Sequence, residues 1–380
     1  MKSIGSVLDA NRGIGPGFNL LRLILALTVV FIHCSLIDNG AVADQFWPYG
    51  ARWALNNVPV PMFFVVSGFL VAASVERLSL DQFLVNRLLR ILPALVLVVA
   101  LAALVLGPLM TQDSLGTYFS KPGFYAYFLN AAGLHHDALP GVFETNPAHE
   151  INGSLWTIPH EVSCYILLAV IAGVGLLRRR WLVLGGTIAL YAVAIGFWLI
   201  DRYGLQFPLS DKLTYVFVWR GAAKLVPLFL TGTLFHLFRA NIPMSRVLGL
   251  AASGALVAIA IVGNPSWQDN PIIWAVTAPL FAYVAVWLGL SAWFALPILA
   301  GLDYSYGIYL FGFPVQQTLI HFLPGISNYG VFFVISAVPT IILAALSWHF
   351  VEKPALGLKR RIGPAISRLV ARTRRSPASA

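Results

Sequence analysis

Charge is scarce in this chain. Only 11% of its 380 residues are Asp, Glu, Lys or Arg and 58% are hydrophobic, whereas soluble domains carry about 25% charged and roughly 45–50% apolar residues. That shortage excludes a soluble globular protein, because a water-facing surface for this much chain cannot be built from so few charges. Cysteine is nearly absent as well. Cys34 and Cys164 both fall inside apolar runs, which excludes a disulfide framework and reads as two small buried hydrophobes, although Cys164 lies one helical turn from Glu161. No internal repeat and no Pro-rich or Ser-rich linker interrupts the chain, so its organisation is that of one membrane domain. The first apolar run has no small-residue cleavage site and follows 17 residues rich in glycine and polar groups, so it reads as a retained span and not a signal peptide.

What the chain has in abundance is long apolar runs, with a mean hydropathy of +0.79. In lipid every backbone polar group must be satisfied internally, which leaves helices or a closed barrel. Runs such as LLRLILALTVVFIHC and LLAVIAGVGLL are continuous, where barrel strands would alternate over about ten residues. The expected fold class is therefore all-α, a polytopic bundle. Spans of about 20 residues place ten transmembrane helices, near 18–37, 58–75, 88–110, 157–177, 181–200, 221–239, 246–263, 271–291, 301–320 and 329–350.

Basic residues orient these spans. One set of connecting segments carries Lys2, Arg12, Arg77, Arg87, Arg90, Arg178 to Arg180, Arg239, Arg246, Lys353 and the seven further basic residues from Lys359 to Arg375; the opposite set carries only Arg52, Lys121, Arg202, Lys212 and Arg220. Both termini are expected in the cytoplasm. The expected division is a cytoplasmic segment 1–17, a membrane domain 18–356 and a basic cytoplasmic tail 357–380. The same asymmetry accounts for the net charge of +10 without nucleic acid, and the tail reads as a topology signal resting on anionic lipid.

The outer segment from about 111 to 157 exceeds ordinary helix connections of about 2–8 residues. It holds His135, His136 and His149, but without tight ligand spacing, so no metal is expected and the segment reads as a solvated loop and a lid for an acceptor.

Ionisable groups within spans are costly and mark cavities or partners. Arg22 and His33 share the first span; eleven residues at about 100° each return to within about 20° of one direction and rise roughly 16 Å. A cation near the cytoplasmic end and an imidazole in the outer half thus line one face, although a lone intramembrane His can also be a packing residue. Arg87 and Arg90, three apart at the cytoplasmic mouth of the third span, are helix neighbours suited to clamping an anion or to plain interface anchoring. In INGSLWTIPHEVSCY, Pro159 suits a first helical turn and brings Glu161 to nearly the depth of His33, flanked by Asn152, Trp156 and His160. Glu352 and Lys353 read as an interface pair.

Taken in order, FNLLRLILALTVVFIHCS, VPMFFVVSGFLVAAS, FLVNRLLRILPAL, NGSLWTIPHEVSCY, YSYGIYLFGFPVQQ and SWHFVEKPAL resemble the motifs of the acyltransferase 3 family, over residues 18 to 356. The chain departs from many members at Gly312, where they have His, and at Val60, Pro61 and Met62, where they read Gly-Val-Asp. The resemblance implies a multi-pass enzyme of the bacterial cytoplasmic membrane that transfers an acyl group, often acetyl, from acyl-CoA as co-substrate to a cell-surface or exported carbohydrate or glycolipid. It makes His33 the essential histidine, Arg22 its partner, Arg87 and Arg90 the Arg-x-x-Arg pair, and Glu161 the acid of the Leu-Trp motif.

The physical reading that fits is a relay across the membrane. The donor's phosphates would meet Arg87, Arg90 and Arg22, and the thioester would reach inward to His33, whose neutral imidazole has a pKa suited to taking a hydroxyl proton, with Glu161 steadying the imidazolium. The alternative is a secondary transporter or exporter of an acylated or anionic small molecule, which would show two related halves with broken helices; no such symmetry is present. The topology has its own test. A reporter fused after Ala380 should be active only in the cytoplasm and one inserted beside His136 only outside; activity of both on one side would overturn the ten-span arrangement.

Overall fold

The computed structural model describes residues 2–11, 13, 15–37, 48–204, 221–264, 267 and 269–359. Arg12, Lys212, Arg220 and the basic tail after residue 359 lie outside the described residues. In chain order the helices are α1 (Ile4–Ala10), α2 (Phe18–Ile32), α3 (Tyr49–Asn57), α4 (Pro59–Arg77), α5 (Leu80–Leu101), α6 (Leu115–Ser120), α7 (Pro122–Tyr127) and α8 (Ile158–Gly173). They continue with α9 (Arg180–Arg202), α10 (Ala222–Leu237), α11 (Arg246–Val262), α12 (Pro271–Leu290), α13 (Ser305–Phe322), α14 (Tyr329–Ser347) and α15 (Lys353–Gly357). No strand occurs among the described residues, so the all-α class holds.

A helix lies over each of the ten apolar segments. Among the described residues seven stretches are long and apolar enough to cross a membrane: Phe18–Leu36, Tyr49–Arg77, Leu80–Met110, Gly153–Gly173, Arg180–Arg202, Pro271–Leu290 and Tyr329–Gly357. Two further apolar helices, Ala222–Leu237 and Arg246–Val262, are shorter. Large apolar side chains such as Leu109, Ile166, Val170, Leu250 and Ile261 stand exposed, as lipid-facing residues do. One boundary differs usefully from expectation: α5 begins at Leu80 and not at residue 88, because Ser79 at its N-cap and Asp81 in its first turn suit a helix start. Arg87 therefore sits about two turns inside the helix, roughly 10 Å from its end.

The chain divides into two compact units, each assembled from separated segments. One comprises Met1–Ala73 with Val174–Ser305, the other Ser74–Gly173 with Tyr306–Ala380.

In the first unit α4 crosses α10 at backbone contact distance. A Cβ on Gly68 would lie 1.9 Å from the Phe229 carbonyl oxygen and one on Gly232 would lie 2.0 Å from that of Val65, so only glycine fits at either place. Around this crossing Phe69 meets Phe18 at 5.9 Å and His236 edge-on at 5.6 Å. The amino-terminal segment is not a loose leader. Its α1 is capped by Ser3 and docked on the turn after α10, where the Ile4 and Gly5 amides donate to Ile242 and Arg239 and the Met244 amide donates to Lys2. Residues 2–5 and 239–244 thus share one end of this unit.

In the second unit α5 packs on α8 and on α15. The segment 111–157, expected as a solvated loop, is largely exposed but carries short helices and a packed part. Its α6 and α7 stack Tyr118, Phe119 and Phe124 on one another at 5.0–5.3 Å, and the Tyr118 hydroxyl donates to Ala103 at 2.7 Å. Burial pushes this phenol up to about 12, so it stays protonated and keeps donating. Farther along, the Asn146 amide donates to the Gln317 backbone and side chain, the Gln317 amide donates to Ala148 and Glu150, and that of Asn152 donates to Leu310. Gln317 of α13 is fully buried, and an amide without its partner there would cost about 1–3 kcal/mol. Residues 146–152 thus cap α13. Its histidines are separate: His135 pairs with Asp137 at 2.8 Å, His149 lies 3.3 Å from the Phe143 carbonyl, and no cluster among the described residues fits a metal.

The α4–α10 crossing is open to test. Gly68→Ala or Gly232→Ala should lower stability by at least about 1–3 kcal/mol, read as a thermal midpoint of the detergent-solubilised protein. Gly186→Ala, where an added Cβ meets nothing within 4 Å, should be neutral or slightly stabilising. Equal midpoints for all three variants would refute the close crossing.

Candidate active site

The expected site residues fall into two groups, one in each unit. In the first unit α2 carries Arg22 and His33. The apolar periodicity of this span leaves Arg22 half-buried, and its guanidinium meets Asp303 at 2.9 Å, a carboxylate also held by the Ser305 hydroxyl at 2.7 Å. Asn19, one turn earlier, donates to the Leu299 carbonyl at 3.0 Å, so the base of α2 is tied to the 299–305 segment at two points. His33 stands where α2 tightens into the 3₁₀ turn His33–Ile37, its amide bonded to Val29 and Phe31. The α-helix between them is regular from Phe18 to Ile32.

In the second unit the structure joins two residues that the sequence places at opposite ends of their spans. Glu161 occupies the first turn of α8, where the helix dipole favours a carboxylate. One turn on, the Tyr165 hydroxyl donates to Glu161 Oε1 at 2.5 Å, and the Arg87 guanidinium lies over the Tyr165 ring, 5.7 Å from its centroid, and over Phe83 at 5.9 Å. Arg87, Tyr165 and Glu161 therefore form one line of contacts. Because α5 already begins at Leu80, Arg87 lies well inside a helix that packs on α8.

Arg90 has different neighbours. It donates to Glu352 Oε2 at 2.9 Å, Glu352 Oε1 accepts from the Ser347 hydroxyl at 3.0 Å, and the guanidinium lies 5.2 Å over the Tyr306 ring. Glu352 is 1% exposed. The expected interface pair of Glu352 with Lys353 is replaced by this buried one, because the π turn Trp348–Glu352 rotates Glu352 inward. Arg87, by contrast, makes no hydrogen bond or ion pair with any described residue, and its Nε is buried and unpartnered. Tyr306 and Tyr309 serve as interhelical ties, to the Ile91 carbonyl at 3.2 Å and to Thr157 at 2.8 Å. Trp156 stacks edge-on with His160 at 5.9 Å.

Sequence reasoning missed Asp303, Tyr165 and the role of Glu352. Tyr165 was detectable, being four residues from Glu161 and hence on its helix face. Asp303 was not, since its link to Arg22 spans most of the chain.

These features, helices that cross a bilayer and intramembrane arginines, a histidine and a carboxylate in place of a soluble pocket, define a multi-pass membrane enzyme. Residues 16–349 match the family described as Acyltransferase domain, and the chain belongs to this acyltransferase 3 family; it is a membrane O-acyltransferase. It is 31% identical to nodulation protein 10 of Rhizobium leguminosarum bv. viciae, over 94% of this chain and 97% of that protein. It is 28% identical to the O-acetyl transferase of Shigella phage Sf6, over 88% of this chain and 94% of that one. Similarity to the peptidoglycan O-acetyltransferase OatA of Listeria monocytogenes is 22% over 89% of this chain but 55% of that longer protein. No solved structure matches the chain.

The buried ion pair carries a prediction. Glu352→Ala strands a guanidinium with 15% side-chain exposure and should cost about 3–5 kcal/mol, seen as a fall in thermal midpoint. Arg90→Met added to it should recover most of the loss. An unchanged midpoint in the single variant would mean that the pair is not holding the helices.

Proposed function

We propose that the protein transfers an acyl group, acetyl in the simplest case, from cytoplasmic acyl-CoA to a hydroxyl of a carbohydrate or glycolipid acceptor. The observation that carries this reading is Arg87, a half-buried guanidinium inside an apolar helix with no counter-ion among the described residues. A charge so placed calls for an anion, and the phosphates of acyl-CoA supply one. An O-acetyl transferase and a peptidoglycan O-acetyltransferase among the relatives support acyl transfer to oxygen and a carbohydrate acceptor. The membrane arrangement proposed is ten spans over residues 18–356 in the bacterial inner membrane, with segment 1–17 and the basic tail 357–380 both cytoplasmic. The docking of α1 on the basic turn after α10 supports this.

In this mechanism Arg87 binds the donor, and Arg90, already neutralised by Glu352, positions it by holding α5 in place. Arg22, expected beside the donor, is neutralised by Asp303 as Arg90 is by Glu352, and its part is to hold the base of α2. His33 is the base. It takes the proton of the acceptor hydroxyl as the oxygen attacks the thioester carbonyl, the carbon–sulfur bond breaks, and the thiolate leaves with the proton as free CoA thiol. Glu161 is the acidic member of the machinery, held by Tyr165 in one orientation.

Thiol release from acetyl-CoA by proteoliposomes supplied with a surface-glycan extract tests the assignment. His33→Gln keeps hydrogen bonding and approximate volume but cannot accept a proton near neutral pH, so turnover should fall by roughly 10² to 10⁴. Arg87→Ala should raise the acetyl-CoA KM about tenfold or more, the scale of a lost hydrogen bond to a charged group, and Glu161→Gln should be intermediate. Near-normal turnover in His33→Gln would refute the base assignment, and an unchanged KM in Arg87→Ala would refute the donor site.

A further inference from the structure

The first unit contains a feature that the acyl-transfer chemistry does not use. Helices α9, α10 and α12 enclose a groove of about 650 Å³ walled by Leu184, Ile188, Ile195, Leu234, Phe235 and Pro279. Three hydroxyls also reach the wall, and each is already spent: Thr187 donates to Val183 and Thr231 to Pro227, both at 2.8 Å, and Tyr191 lies 3.4 Å from Thr231. Along this stretch the groove thus offers mainly hydrocarbon surface, with its hydroxyl protons already engaged. That composition excludes a sugar or a nucleotide, whose hydroxyls and phosphates would be stranded there.

One end of the groove is different. Trp181, Phe238 and Asn241 line it, and the Arg180 guanidinium sits on the Phe238 ring at 4.7 Å while donating one N–H to Asn241 Oδ1 at 2.8 Å. A guanidinium carries five N–H donors in a fork that matches phosphate, and this is the one hydrogen bond that the Arg180 side chain makes among the described residues. Trp181 is 66% exposed beside it, as aromatics at a membrane interface are, and Arg178 and Arg179 precede it.

An apolar trough in a membrane helix bundle that ends on an unneutralised guanidinium has the polarity profile of one molecule class. We propose that this groove binds an anionic phospholipid, with an acyl chain against the α9, α10 and α12 wall and the headgroup phosphate on Arg180. The occupant is separate from donor and acceptor, so the site stands or falls independently of the acyl-transfer mechanism.

Native mass spectrometry of the full-length protein, equilibrated in mild detergent with equal amounts of phosphatidylglycerol and phosphatidylcholine of matched chains, provides the test. The protein should retain phosphatidylglycerol over phosphatidylcholine by about fivefold, the scale of one basic residue near an anionic surface. Arg180→Ala and the gentler Arg180→Gln, which can still donate to Asn241, should both abolish the preference, while Ala192→Trp, filling the groove, should lower retention of both lipids. Equal retention of the two lipids, no retained lipid, or a preference surviving both Arg180 substitutions would overturn the site.

Discussion

An ionised side chain in hydrocarbon is tolerated only beside something that replaces its water, and this requirement organises the protein more than any apolar contact does. Arg22 finds Asp303, Arg90 finds Glu352, and in each case the acid comes from a segment far along the chain, so that meeting the electrostatic requirement also brings distant helices together. Lys224 is accommodated without an acid in hydrogen-bond contact: it donates to Asn57 at 2.6 Å and lies over the Trp274 ring. Arg87 differs from these cations: among the described residues it has two aromatic rings beside it and no carboxylate, which is why the proposed donor site is placed there. The division of labour within the Arg-x-x-Arg pair is a consequence of which arginine has an internal carboxylate.

How much of this was legible in the sequence depends on the range of the interaction. Apolar continuity located the helices because burial in lipid is a local property of each run, and Pro159 with Glu161 announced the start of α8 because helix dipoles and first-turn preferences act within a few residues. That Arg22 and His33 belong to one span was legible for the same reason. The start of α5 was misplaced because hydropathy weighs apolar content and overlooks the capping signal of Ser79 and Asp81. Most opaque was the segment from 111 to 152. Its polar, proline-containing sequence reads as a solvated loop, yet Asn146 and Gln317 join across 171 residues, and no local pattern reveals that two amides will satisfy one another in a buried place.

That segment is more than a connection between helices. It stacks Tyr118, Phe119 and Phe124 on one another, and its last part is tied by hydrogen bonds to α13. Phe143 is held at a φ of 58° while almost fully buried, a backbone state that non-glycine residues adopt only where the surroundings fix it.

The order in which the chain contributes to its two units has a bearing on biogenesis. Met1–Ala73 must await Val174–Ser305, and Ser74–Gly173 must await the chain beyond Tyr306, so neither unit is complete when its first segment leaves the ribosome. The early helices α2 and α4 enter the membrane with Arg22 still lacking Asp303, and α5 enters with Arg90 still lacking Glu352. During synthesis, at about 5–20 residues per second, these charges spend seconds to tens of seconds without their eventual partners. Over that interval the translocation machinery, lipid headgroups or water must shelter them, and a chain stalled before residue 303 would present the membrane with two unneutralised arginines. The interleaving also means that neither unit can be excised as one continuous fragment.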